Sequence, residues 1–166
     1  FLAESAEINP TFALVDQLRE DIGKEGTVVV WSKAFERTRN SEMAATVPQH
    51  EAFILSLNNR MVDLMEVVTK LHYVHPGFSG SASIKKVLPV VAPDLTYKEL
   101  VIQDGMMAAE AWLGCVLGEF DSLQQADIFS GLRSYCHLDT LAMVRTWEHF
   151  VSVATTESTI SEIAPA

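Results

Sequence analysis

No run of apolar residues in this sequence approaches the roughly 18 that a membrane span requires, so no transmembrane helix is implied. Cysteine is nearly as scarce. Cys115 and Cys136 stand 21 positions apart without a C-x-x-C spacing, which gives neither a zinc site nor a disulfide framework and fits a reducing cytoplasm. Basic residues are few, 12 Lys and Arg against 22 Asp and Glu, for a net charge of −10. Such a chain repels polyphosphates and lacks the basic stripe that usually anchors nucleic acid. A nuclease is still compatible, because a carboxylate site recruits divalent cations that reverse the local sign. The opening residues Phe1-Leu2-Ala3-Glu4-Ser5 lack an initiator Met, a basic n-region and an apolar h-region, so the sequence is expected to begin inside a longer protein.

What is present is the material of one core: 166 residues, 48% of them hydrophobic and 20% charged. Asn9-Pro10 has the form of an N-cap followed by proline at the first helical position, and Phe12, Leu14, Val15, Leu18 and Ile22 continue at helical spacing, so a helix is expected over 10–23. Thr27-Val28-Val29-Val30-Trp31 is a β-branched run without polar alternation, the pattern of a central strand covered on both faces. Helices are expected over 34–46 and 49–59, broken near Pro48, and Met61 to Leu71 continues a helical pattern. His75 to Ser81 reads as a loop, and Ser83 to Leu88 as a short helix closed by Pro89. Further helices are expected over 104–118, 123–135 and 138–154, and the Thr/Ser-rich end, 155–166, as a frayed tail. One buried strand among helices indicates an α/β architecture whose other strands lie upstream, with one domain over 1–154.

Tyr135 and Asp139 are four residues apart and share a face if their segment is helical, so they can reach a common point. That pair suits metal-assisted phosphodiester hydrolysis, with the carboxylate as a hard oxygen ligand for Mg²⁺ or Mn²⁺ and the phenol orienting the attacking water. An i, i+4 Tyr and Asp also serve as an ordinary surface pair or helix cap. His72 and His75 have a spacing seen in metal sites, but no third ligand is near, and they suit loop anchoring better. Gly77 to Lys86 lacks the Gly-Lys-Ser/Thr end of a P-loop, which argues against nucleotide hydrolysis. Trp112 and Trp147 lie on helical apolar faces and are expected in the core rather than as stacking platforms.

Two sets of residues carry a family resemblance. Val28 to Glu36, an apolar strand running into a helix through Ser32-Lys33-Ala34-Phe35, resembles the second motif of ribonuclease-H-like 3′–5′ exonucleases, and Tyr135-x-x-x-Asp139 resembles the third motif of their Tyr-containing branch. More closely, Phe35-Glu36-Arg37-Thr38-Arg39, Val62-Asp63-Leu64, Gly80-Ser81-x-Ser83-Ile84-Lys85-Lys86-Val87-Leu88-Pro89, Tyr97-x-x-Leu100-x-Ile102-Gln103-Asp104-Gly105 and Tyr135-Cys136-x-x-Asp139-Thr140 resemble the bacterial domain of unknown function 2779 over about residues 20–150. The resemblance implies the C-terminal part of a ribonuclease-H-like fold. It also implies Asp139 as a metal ligand, Tyr135 and Glu36 as catalytic members, Mg²⁺ or Mn²⁺ as cofactor, and single-stranded nucleic acid as partner of the whole protein, with Lys85 and Lys86 on its backbone.

Two departures accompany the match. Glu36 stands where the second motif has Asp, and no Asp-x-Glu of the first motif precedes Trp31, where the only acids are Glu4, Glu7, Asp16, Glu20, Asp21 and Glu25. The chain alone is therefore expected to be inactive, and a non-catalytic structural or protein-binding module on the same scaffold is the alternative. Asp63 falls outside the acidic set and is expected to cap or hydrogen-bond. A strand left without its upstream neighbours would expose an edge, from which a homo-oligomer is expected.

Overall fold

The computed structural model describes residues 1–5 and 9–163, with side chains as far as 156; Glu7 and residues 164–166 lie outside the described residues. The first helix, α1 (Pro10–Ile22), starts as its sequence dictates: the Asn9 side chain accepts a hydrogen bond from the Thr11 N–H, and Pro10 occupies the position where an N–H has no helical partner. It stops at Gly23, whose φ of 65° is open to glycine at little cost. Strand β1 (Val28–Val30) leads into α2 (Lys33–Thr46), a 3-10 turn at Pro48–His50 and α3 (Glu51–Asn59). The chain then returns as β2 (Met61–Asp63), parallel to β1 in the register Val28 to Met61 and Val30 to Asp63. The guanidinium of Arg60 clamps the loop before β1, donating to the carbonyls of Gly23, Glu25 and Gly26.

Two expectations change here. Met61 to Asp63 is a strand rather than the start of a helix; pairing with β1 decides its conformation, and the helix begins only at α4 (Met65–Thr69). Nor is β1 covered on both faces. Val29 is 37% exposed and its partner Val62 is 51% exposed, so the inner face holds Val28, Val30 and Met61 while the outer face stands open among the described residues. The described fold is mostly helical with one small parallel sheet.

After a 3-10 turn at Pro76–Phe78 come α5 (Ile84–Val91), α6 (Gly105–Val116) and α7 (Ser122–Ile163). Helix α5 runs through Pro89 instead of ending before it. Proline at the sixth helical position removes only one N–H, and Pro89 is exposed, so the carbonyl it leaves free on Lys85 can turn to water. Helix α7 is unbroken over 42 residues where two helices were expected to meet near 135–138, and it passes 155, where a frayed tail was expected. No proline or capping glycine interrupts residues 132–154. Among the described residues no helix is long and apolar enough to cross a membrane.

Three apolar clusters hold the elements together. One joins α1 to the α2–α3 region through Val15, Val47 and Ile54. A second packs α6 on α7 through Cys115, Phe129 and Leu132, with Trp112 against it and its indole N–H donating to the Ala3 carbonyl. The largest joins α5 and α7 through Val87, Leu88, Leu138 and Ala142, with Phe78 and Tyr97 inside it and Trp31 at its edge. Trp147, expected in the core, is 47% exposed: the buried face of α7 passes through Ala142 and Thr146, and Trp147 lies beside it.

Candidate functional site

Helix α7 brings Tyr135 and Asp139 to one face one turn apart, as the spacing requires. The carboxylate is held by a residue from elsewhere in the chain: the Tyr97 hydroxyl donates to Asp139 Oδ1 at 2.6 Å, across 42 positions of sequence. The Tyr97 and Tyr135 rings stand 6.1 Å apart in a tilted arrangement. Burial, then the bond to Asp139 and its charge, drive the Tyr97 phenol far above its ordinary titration range. Burial, then the charge of Asp139 and a hydrogen bond to it, do the same for Tyr135. Both phenols are therefore protonated donors, and the carboxylate between them is their acceptor.

The cluster extends through the start of α6. Asp104 caps that helix, its Oδ1 accepting from the N–H groups of Met106 and Met107 at 2.9 Å, and the Met107 bond above all holds its carboxyl below the usual range. A pocket of about 250 Å³ lies between α5 and the loop that precedes α6, lined by Lys85, Tyr97, Lys98, Gln103 and Asp104 among others. Lys85 thus stands on the wall that also carries Tyr97, while Lys86 is exposed beside it. Sequence reasoning placed Tyr97 and Asp104 in a family block without giving either a role. The signal that the block offered was a tyrosine and an acid flanking a short loop.

Glu36 is not part of this cluster in any contact with Asp139 or Tyr135. It is partly buried in the first turn of α2, and burial raises its carboxyl above the ordinary value of 4.5. A raised folded-state value means that the folded protein holds the Glu36 proton more tightly than the unfolded chain. The stability this gives is complete below about 4.5 and is lost as pH rises through the folded value. Glu36→Gln should therefore raise the melting temperature at pH 7 by about 1–2 °C and leave it unchanged near pH 3.5. Parallel thermal melts at the two pH values check this, and an equal effect at both would show that the charge is not responsible.

Asp63 takes the hydrogen-bonding role expected of it. Its Oδ1 accepts from Ser32 N–H and Met65 N–H at 3.0 Å, and its Oδ2 from Lys33 N–H at 2.7 Å, so one carboxylate closes the N-terminal ends of both α2 and α4. His75 anchors its loop by accepting from the Gly77 N–H at Nδ1, whereas His72 is exposed. Both cysteines are free thiols, Cys115 buried and Cys136 exposed.

As a donor set for a hard divalent cation, the residues fit in part. Asp139 offers a carboxylate steadied by a phenol, which suits one ligand of such a site. Among the described residues, however, no group of three or more His, Cys, Asp or Glu side chains could hold a metal ion. A complete centre would need carboxylates from other parts of the whole protein.

The fold and cluster define a mostly helical α/β chain that carries a phenol-bound carboxylate on its longest helix. The chain belongs to the family described as "Domain of unknown function (DUF2779)", which matches residues 1–83. The match ends before Ile84, so the resemblance noted at Tyr97 to Gly105 and at Tyr135 to Asp139 lies beyond it. It is 27% identical to the uncharacterized protein UU173 of Ureaplasma parvum over 90% of its own length and 24% of that protein's. It is 28% identical to the uncharacterized MG366 homolog of Mycoplasma pneumoniae over 79% of its length and 21% of that protein's. It is 25% identical to uncharacterized protein MG366 of Mycoplasma genitalium over 82% of its length and 22% of that protein's. The chain thus spans less than a quarter of each of these relatives. No solved structure gives a significant match.

Proposed function

We propose that this chain is the C-terminal part of a ribonuclease-H-like, divalent-metal-dependent 3′–5′ exonuclease domain that hydrolyses phosphodiester bonds in single-stranded nucleic acid. The observation that carries the reading is the junction of Tyr135 and Asp139 on one turn of α7, with the carboxylate fixed by Tyr97. Asp139 would supply one ligand to Mg²⁺ or Mn²⁺, and the ion when bound would activate water and offset charge on the phosphate. Tyr135 keeps its proton and is placed to donate to a water or phosphate oxygen beside the carboxylate. Lys85, on the wall of the adjoining pocket, and Lys86 next to it are placed to meet the nucleic-acid backbone. Glu36 joins the site only if other segments of the whole protein bring a ligand between it and α7. The chain alone is inactive on this reading.

The test is Mn²⁺-dependent shortening of a 5′-labelled single-stranded oligonucleotide by the full-length protein. Asp139→Asn should lower the rate by at least about 100-fold, the upper end of what losing even an outer partner of a metal ligand costs. One observation favours a second reading, a non-catalytic structural or protein-interaction module: the Asp139 carboxylate already has phenol donors and no second carboxylate beside it in a metal-holding group. A folded full-length protein that cuts no oligonucleotide with Mn²⁺ present would decide for the module.

A further inference from the structure

Within the phenol–carboxylate cluster, Tyr97 is the member that α7 does not supply. Its ring is 8% exposed and packed in the largest apolar cluster beside Leu88, Leu138 and Ala142, so its position is set by the core. The backbone around it is tied to itself: the Tyr97 carbonyl accepts from Leu100 N–H, Lys98 N–H donates to Thr96 Oγ1, and Gln103 Nε2 donates to the carbonyls of Lys98 and Leu100. From this fixed base the hydroxyl meets a charged oxygen at 2.6 Å, a length typical of a charge-assisted O–H···O⁻ bond. An aspartate carboxylate otherwise turns over a broad range about its last torsion, so one strong bond to Oδ1 settles the plane in which both oxygens lie.

We infer that Tyr97 is the positioning residue of Asp139: it fixes the direction in which the carboxylate faces a divalent cation, and without its hydroxyl the cation binds more weakly. The consequence for catalysis rests on the nuclease reading, whereas the consequence for cation binding does not. Tyr73 offers the matching control, since its hydroxyl lies 3.0 Å from His149 Nε2 and its ring packs against the same apolar cluster, but its partner is not Asp139.

The experiment measures Mn²⁺ binding by calorimetry, and the Mn²⁺ concentration for half-maximal oligonucleotide cleavage, in full-length protein carrying Tyr97→Phe or Tyr73→Phe. Each variant loses one hydroxyl and keeps its ring, so both should fold and melt a few degrees lower. Only Tyr97→Phe should weaken Mn²⁺ binding, by about 10- to 100-fold, and raise the Mn²⁺ requirement to the same extent while the rate recovers at saturating Mn²⁺. Unchanged Mn²⁺ binding in Tyr97→Phe, or equal weakening in both variants, would overturn the positioning role and leave cleavage by the unmodified protein standing. Weakening confined to Tyr97→Phe with no cleavage by any form would support the role and remove the nuclease reading. A full-length protein that binds no Mn²⁺ would overturn both.

Discussion

Asp63→Ala should lower the melting temperature of the folded protein by about 10 °C. Three backbone N–H groups, those of Ser32, Lys33 and Met65, give their hydrogen bonds to this one carboxylate. Two helix starts lose their acceptor together, and a lost cap costs about 0.5–2 kcal/mol each. Ser32 raises the cost further, because it sits in the left-handed region at φ 70° and is held there partly by its bond to Asp63. A total near 3 kcal/mol, at about 2–4 °C per kcal/mol for a chain of this size, gives the expected shift. Asp63→Asn separates acceptor from charge: it can still accept at one atom but presents an amide where the other oxygen stood, and it should fall between the two. Thermal melts of the three proteins check this, and a drop below about 2 °C for the alanine variant would remove Asp63 from the capping role.

Leu88→Ala should be comparably damaging by another route. Leu88 is 1% exposed, and with Val87 and Val91 it forms the face of α5 that meets α7. Truncation removes three carbons from a packed interior, and the wall opposite, on a 42-residue helix, has little freedom to collapse into the gap. Losses of about 2–5 kcal/mol are usual for such cavities, and the middle of that range is expected here. Urea unfolding would show it as a lower midpoint with an unchanged slope. A loss under about 1 kcal/mol would mean that α5 is not seated on α7 as described.

What the sequence disclosed and what it withheld divide along the range of the interactions concerned. Asn9-Pro10 and Gly23 bracket α1 because capping is settled within a few residues, and the same holds for Asp104 at the start of α6. Strand β2 was hidden because its three residues take their conformation from a partner 33 positions earlier, and a segment so short carries no period of its own. The open outer face of β1 was hidden too, since three valines in a row look alike whether one side is covered or both. In α7, the polar residues Ser134, Cys136 and His137 break the apolar rhythm and suggested a junction, yet they only mark the side turned to solvent.

The candidate site follows the same division. The spacing of Tyr135 and Asp139 was legible, because a helix converts four residues into one turn. Their third companion was not, because only packing of the loop before α6 against α7 delivers Tyr97 to Asp139. Glu36, chosen by resemblance, stands apart from them among the described residues.

Helix α7 has a mechanical consequence. At about 1.5 Å per residue its 42 residues make a rod roughly 60 Å long. Two apolar clusters are bolted to that rod, one through Phe129 and Leu132 and the other through Leu138 and Ala142, and Tyr135 touches both. A push on α6 cannot be absorbed locally, because the beam it bears on is the one that carries Asp139. Torque applied at either end reaches the carboxylate as rotation, which makes the middle of the beam the place where a distant contact would be felt.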